Sequence, residues 1–277
     1  MKEHSRAGIR FLTYGVFAPY LNVTNVVTTR AGGRSAPPYA GLNLGFRSGD
    51  DPDAVLENRA IVAQVLGFEP ELFTAAEQVH GSSVAVVRAS DGGRGAVAAE
   101  DTLRGVDALV TNEPGVALTI LVADCVAVSL YDTRGNAIAM VHAGWKGTLG
   151  RIVGKAVAAM IREYGTRPAD IVAGLGPAVG PCHYPVGDDV AGAFRAEFGA
   201  DAEGYFEPGP GGQVALDLWK ANRAELVSAG VPPEKIECGR MCSACSPDLF
   251  YSYRRDGART GRFAGIIELR YTGRRLY

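Results

Sequence analysis

The chain lacks most of the patterns that announce a function. Histidine is scarce, at four in 277 residues, and the formal net charge of -2 leaves no global basic excess to attract nucleic acid or an anionic membrane. Cysteines number five, an odd count, and the opening MKEHSRAGIRFLTYG has no signal-peptide core. Disulfides are therefore not expected, and the chain reads as cytoplasmic. The longest apolar run, Val116 to Tyr131, is interrupted by Thr119, Asp124 and Ser129. It falls short of the roughly 18 apolar residues a membrane span requires. No Gly-Lys-Ser/Thr phosphate loop exists. The stretch from Gly174 to Gly180 is one residue too long for a dinucleotide fingerprint and carries Pro177 inside it. No His-x-Glu precedes a Pro-Cys-x-x-Cys, so the zinc signature of nucleobase deaminases is absent.

What is present is an ordinary globular balance, with 47% hydrophobic and 21% charged residues. The length allows one large domain or two small ones. The Gly- and Pro-rich stretches Ala31 to Gly41, Ser90 to Gly105 and Pro208 to Gly212 read as surface loops, so residues 1–277 are expected to form a single catalytic domain. One local charge excess stands out: from Arg254 to Tyr277 there are seven arginines against Asp256 and Glu268. A solvated basic face is the simpler reading, with phosphate binding the alternative.

Runs rich in β-branched residues predict strands at Asn25 to Arg30, Phe73 to Gln78, Ser83 to Arg88 and Asp107 to Asn112. Further strands are expected at Val116 to Ala123, Ala127 to Tyr131, Ala137 to Val141, Asp170 to Leu175 and Arg262 to Leu269. Helical periodicity marks Thr148 to Tyr164, whose apolar face is Leu149, Ile152, Val153, Val157, Met160 and Ile161 and which Gly165 stops. Asp53 to Leu66, Asp188 to Phe198 and Leu218 to Ala229 complete the helices. Strands and helices do not alternate strictly and no repeat is visible. The expected fold is α+β, a mixed β-sheet sandwich flanked by helices, rather than a doubly wound parallel sheet.

Two of the histidines sit in matching settings, Gln78-Val79-His80-Gly81 and Met140-Val141-His142-Ala143-Gly144, each reading as a strand end before glycine. Cys125 lies where the long apolar run must break into two strands. Two imidazoles and a thiolate suit zinc, whose catalytic sites use three protein ligands and keep the fourth position for water. Zinc would deprotonate the thiol and bring its water's pKa toward neutrality, supplying hydroxide as a nucleophile near pH 7. The spacings match no short zinc motif, and satisfied imidazoles with an inert buried thiol are the plain alternative. Two other constellations stay open. Cys125 with His142 as its base could act without metal. Cys238, Cys242 and Cys245, with Cys182 or His183, could hold a structural zinc, although only Cys242 and Cys245 form a Cys-x-x-Cys pair.

Taken in order, Asn43-Leu44-Gly45, Gln78-Val79-His80-Gly81, Asp107-Ala108-Leu109-Val110-Thr111, Ala123-Asp124-Cys125, Val141-His142-Ala143-Gly144-Trp145 and Gly176-Pro177-Ala178-Val179-Gly180-Pro181-Cys182 resemble one family. It is the one labelled multicopper polyphenol oxidases or laccase-domain proteins. Ser252-Tyr253-Arg254-Arg255-Asp256 and Thr260-Gly261-Arg262 extend the likeness, which runs from about Val26 to Leu269. The resemblance implies a cytoplasmic enzyme that phosphorolyses adenosine, inosine, guanosine or methylthioadenosine and deaminates adenosine. It implies zinc ligands at His80, Cys125 and His142, and a sandwich related to cysteine hydrolases. Where relatives usually have Cys-Cys-Tyr-Glu, this chain has Cys182-His183-Tyr184-Pro185.

Within that reading, a nucleoside and phosphate are the expected partners. Arg30, Asn43, Lys146 and Arg254 are candidates to clamp phosphate. Gln78 is a candidate to hydrogen-bond substrate or a ligating imidazole, and Trp145 could stack on a base or fill the core. Asp124 is expected to be a structural partner, pointing away from Cys125. Two other activities attach to the family: a copper-dependent phenol oxidase, and a hydrolase editing peptidoglycan precursors. Copper oxidases use several imidazole-rich sites, which four histidines do not supply.

Overall fold

The computed structural model describes residues 1–270. Arg274 and Arg275 of the basic stretch lie outside the described residues. In chain order the strands are β1 (Lys2–Arg6), β2 (Ile9–Thr13), β3 (Val23–Thr28), β4 (Phe73–Ala75), β5 (Val84–Val86), β6 (Ala108–Thr111) and β7 (Ala117–Val122). They continue with β8 (Val126–Asp132), β9 (Ile138–Ala143), β10 (Ile171–Leu175), β11 (Phe206–Pro208), β12 (Val214–Leu216), β13 (Ile236–Cys238) and β14 (Phe263–Leu269). The helices are α1 (Pro52–Leu66), α2 (Trp145–Leu149), α3 (Ile152–Tyr164), α4 (Asp188–Phe198), α5 (Leu218–Ser228) and the single turn α6 (Tyr253–Asp256).

Two six-stranded sheets form the centre, ordered β1-β2-β3-β14-β7-β4 and β13-β10-β8-β9-β6-β5. Both are mixed: β4 runs parallel to β7, β5 to β6 and β10 to β13, while the remaining neighbours are antiparallel. Alternate residues of each sheet supply the interior between them. Leu118, Ile120, Val122, Phe263 and Ile267 of the first sheet share one cluster with Leu109, Ala127, Tyr131, Ile138 and Met140 of the second. The outer face of the second sheet packs on α3 and α5 through Val128, Val141, Ile152, Val157, Met160 and Leu226. The outer face of the first sheet packs on α1 through Val26, Ile266, Val62 and Leu66. The result is four layers, helix, sheet, sheet and helix, in which the central strands are apolar on both faces. Double burial explains why β8, β9 and β14 read as continuous apolar runs rather than alternating ones.

Local chemistry sets the helix ends. Asp51 caps α1 by accepting from the Asp53 N–H, Pro52 occupies the first turn, and Gly67 closes it in the left-handed region at φ 78°. The expected single helix from Thr148 to Tyr164 is two helices, because Arg151 adopts φ 56° and ends the ladder between α2 and α3. The hairpin of β1 and β2 was not expected: β1 is an edge strand of charged and polar residues, KEHSR, which hides its strand character. Ala7 and Gly8, at φ 47° and 81°, supply its tight turn.

Candidate metal centre and active site

Two chain crossings between the sheets and one central strand build the site. The chain leaves the first sheet at the end of β7 and enters the second at β8, and Ala123 to Cys125 is all the chain it uses. So abrupt a change of sheet needs an unusual backbone, and Asp124 takes φ 100° to make it. A second crossing, from β4 to β5, carries His80, which sits in a loop at φ 59° rather than at a strand end. His142 lies in β9 opposite Ala127, on the face turned toward the other sheet. The nitrogen and sulfur atoms of His80, Cys125 and His142 meet within 4.8 Å of one another. The two imidazoles stand edge to face with centroids 4.8 Å apart. Gly144 makes room for them, since a β-carbon there would sit 2.8 Å from Cys125 Sγ.

Asp107 organises this meeting. Its carboxylate is fully buried and accepts from His142 Nδ1 at 2.8 Å, from the His80 N–H at 2.9 Å and from the Gly81 N–H at 2.7 Å. One acid thus orients the buried imidazole, leaving Nε2 free to face the sulfur, and pins the loop that presents the exposed one. Burial pushes the Asp107 carboxyl up, but the hydrogen bonds and charge of His142 and the N–H groups of the loop more than reverse it. Burial likewise raises the Cys125 thiol, yet the charge and hydrogen bonds of His142 and His80 bring it down to about 6. His142 is lowered by burial, and raised further by the Cys125 sulfur and Asp107, to about 9. Each partner therefore favours the charged form of the other, the state in which sulfur is a metal ligand or nucleophile.

The sign of the pH dependence follows from the thiol's depressed value. In metal-free protein, alkylation of Cys125 should rise with pH through a midpoint near 6, where the thiolate forms, instead of the ordinary 9.0. Mass-spectrometric labelling of that one residue between pH 4 and 10 reads the midpoint, and a value at the ordinary thiol position would refute the pairing.

The cluster opens onto a cavity of about 880 Å³ lined by His80, Cys125, His142, Gln78, Phe46, Trp145, Tyr184 and four arginines, 47, 59, 254 and 262. Three of those arginines are engaged. Arg59 is buried, donates to the carbonyls of Leu44, Gly95 and Ala96, and lies 4.3 Å from the Phe46 ring centroid. Arg47 pairs with Glu77 at 2.9 Å, and Arg262 donates to the carbonyls of Thr260 and Gly261. The Arg254 guanidinium is exposed, stacks 5.0 Å from the Tyr184 centroid and has no hydrogen-bond or ion-pair partner among the described residues.

The substrate-binding candidates divide. Gln78 and Arg254 reach the cavity, but the Gln78 amide already donates to Leu121 O at 2.7 Å and accepts from Leu121 N at 2.9 Å. It extends the β4–β7 pairing past the end of β4 and fixes the loop before His80. Arg30, Asn43 and Lys146 are not among the residues lining it. Arg30 stacks on Tyr251 and donates to backbone carbonyls. Asn43 is fully buried, donating to Ser48 and Asp50 and accepting from the N–H groups of Gly45 and Arg262. Lys146 is exposed near the Trp145 ring. Asp124 turns its carboxylate to Ser243 Oγ and the Arg254 N–H. Sequence reasoning assigned no role to Asp107 or Tyr184. A lone acid opening an apolar strand was the available signal for the first, and nothing local marks the second.

No helix of the described residues is long and apolar enough to cross a membrane. The family model of multi-copper polyphenol oxidoreductase laccase matches residues 24–270. A purine nucleoside phosphorylase of Deinococcus radiodurans is 45% identical over 91% of this chain and 91% of its own length. A protein named adenosine deaminase RL5, from an unknown prokaryotic organism, is 39% identical over 84% of this chain and 88% of its own. The crystal structure of YlmD from Geobacillus stearothermophilus superposes with a TM-score of 0.91 at 37% identity, covering 97% of this chain and 99% of that one.

Proposed function

The chain belongs to the multi-copper polyphenol oxidoreductase laccase family, and on that footing we propose that it is a zinc-dependent purine nucleoside enzyme. It phosphorolyses adenosine, inosine, guanosine or methylthioadenosine and deaminates adenosine. The names of its relatives support the class of reaction. The observation that carries the proposal is the convergence of two imidazoles and one thiolate on a cavity with room for a nucleoside.

The donor set fits zinc. Nitrogen and thiolate are its preferred ligands, three protein ligands are the catalytic number, and Asp107 behind His142 is the outer carboxylate such sites use. Held there, the ion supplies Lewis acidity and makes water a nucleophile at neutral pH. The protein's own part is to position. His80, Cys125 and His142 hold the ion, Asp107 fixes the tautomer, and Phe46, Trp145 and Tyr184 offer ring faces to a purine. Arg254 is the cation for phosphate, since its fork has no competing acceptor. Phosphorolysis breaks the bond from the purine nitrogen to C1′ and forms one from C1′ to a phosphate oxygen. Deamination replaces the 6-amino group with an oxygen from water and releases ammonia. Residues 1–277 are taken as one cytoplasmic catalytic domain, supported by the interior the two sheets share.

One observation favours a second reading. Cys125, His142 and Asp107 in line also form the nucleophile, base and orienting acid of a cysteine hydrolase, the kinship expected of the sandwich. Incubation with adenosine, with and without phosphate, before and after removal of metal by a chelator, separates the two. Adenine that needs phosphate and inosine that does not, both lost with the metal and restored by zinc, support the first. Turnover that survives metal removal supports the second.

A further inference from the structure

A second cluster lies outside the cavity and takes no part in the chemistry above. We propose that Cys182, His183, Cys242 and Cys245 bind a structural zinc ion that braces the wall of the active site.

Four ligand atoms, three Sγ and one imidazole nitrogen, lie within 4.8 Å of one another. Cys182 Sγ is 3.6 Å from Cys245 Sγ, and His183 Nδ1 is 3.4 Å from Cys182, 3.3 Å from Cys245 and 3.8 Å from Cys242. Zinc bonds of about 2.3 Å to sulfur and about 2.0 Å to nitrogen, set at tetrahedral angles, place two sulfurs about 3.8 Å apart and sulfur and nitrogen about 3.5 Å apart. The four separations given lie close to edges of that tetrahedron, and the other two fall within 4.8 Å. All five cysteines are free thiols. Four protein donors fill the coordination shell and leave no place for water, as in structural sites.

The local backbone serves the same end. Cys182 and His183 sit in the tight turn Pro181–His183, and Cys242 and Cys245 form a Cys-x-x-Cys turn. The Gly180 N–H donates to Cys242 Sγ at 3.2 Å, an interaction that stabilises charge on that sulfur. Cys238 stands apart: it ends β13 and belongs to neither ligand cluster.

Both halves of the cluster lead to the active site. Tyr184 follows His183 into the cavity wall. Ser243 follows Cys242, and its Oγ donates at 2.6 Å to the carboxylate of Asp124, the residue before Cys125. Binding releases three thiol protons to solvent and joins the two turns covalently enough to hold both in register.

The full chain, purified under reducing conditions and exchanged into zinc-free buffer, should retain two zinc ions per molecule. His80→Ala should lose one, and His183→Ala and Cys245→Ser should lose the other. Unmutated protein provides a readout that no folding defect can confuse. With zinc bound, Cys182, Cys242 and Cys245 should resist iodoacetamide, and a chelator should expose them, with labelling rates rising at least tenfold. Cobalt substitution adds a signature, since thiolate-to-cobalt absorption should keep most of its intensity in Cys125→Ser, which retains the three-thiolate site, and fall to the weaker band of the single Cys125 thiolate in Cys245→Ser. The proposal is overturned if only one zinc is retained and His80→Ala removes it. It fails equally if the exposed Cys182 and Cys245 label at the same rate with and without zinc, or if they are found joined in a disulfide in metal-loaded protein.

Discussion

His80→Ala should reduce adenosine turnover, with or without phosphate, by on the order of 10³-fold, because Lewis-acid stabilisation is worth several kcal/mol of barrier. His80 is the exposed member of the triad and sits in a loop, so its removal creates no cavity in the core. Melting temperature should therefore change little while bound metal at this site falls to near zero. That separation distinguishes a ligand from a structural histidine. Equal losses of stability and activity, or full activity without the imidazole, would refute the assignment. Steady-state kinetics, metal analysis and a thermal melt on one preparation decide it.

Asp107→Asn is the second large effect, and it acts through other residues. The carboxylate accepts from one imidazole and three loop N–H groups, those of Val79, His80 and Gly81, while fully buried. An amide of the same shape keeps one acceptor oxygen and turns an NH₂ toward a donor. Loss of such an outer partner costs 10-fold to 100-fold in metal affinity or activity in comparable sites. Asp107→Ala should be worse, destabilising the fold by about 3–5 kcal/mol, since His142 and the loop lose their partner inside the protein. The discriminating readout is His142 itself. In metal-free protein its nitrogen-15 NMR titration should fall below about 9 when the acid is neutralised, the Cys125 sulfur still raising it. An unchanged titration with unchanged metal affinity would contradict the positioning role.

The fold was legible wherever burial is two-sided. Apolar runs such as Ala127 to Tyr131 and Arg262 to Leu269 identified strands to within about two residues, because a strand covered on both faces must be apolar throughout. The polar edge strand β1 was invisible for the converse reason, and β11 to β13 because three residues are too few to show a period. The break at Asp124-Cys125 was readable as a place where one run must become two strands. That the break crosses between sheets was not, because pairing is settled by residues far away in sequence.

The site divided along the same line. Residue types alone pointed to His80, Cys125 and His142, and the resemblance joined them. Nothing in the sequence marks the role of Asp107, since a hydrogen bond over 35 positions leaves no periodic trace. Arg30, Asn43 and Lys146 looked like phosphate clamps on charge and polarity. Asn43 instead ties a loop to the start of β14, and the other two are not among the lining residues. Asp124 was expected to point away because a strand alternates. It does serve the backbone and Ser243, but through a left-handed turn rather than through strand geometry.

The central claim is that a metal held by two imidazoles and one thiolate faces a bound purine nucleoside. X-ray data collected on either side of the zinc absorption edge from crystals grown with a non-hydrolysable adenosine analogue test it most directly. The account predicts an anomalous peak about 2.0–2.3 Å from His80, Cys125 Sγ and His142, with the purine against Tyr184 or Trp145. A purine seated there with no metal among the three residues, or a metal whose open side is shut off from the analogue, would contradict it.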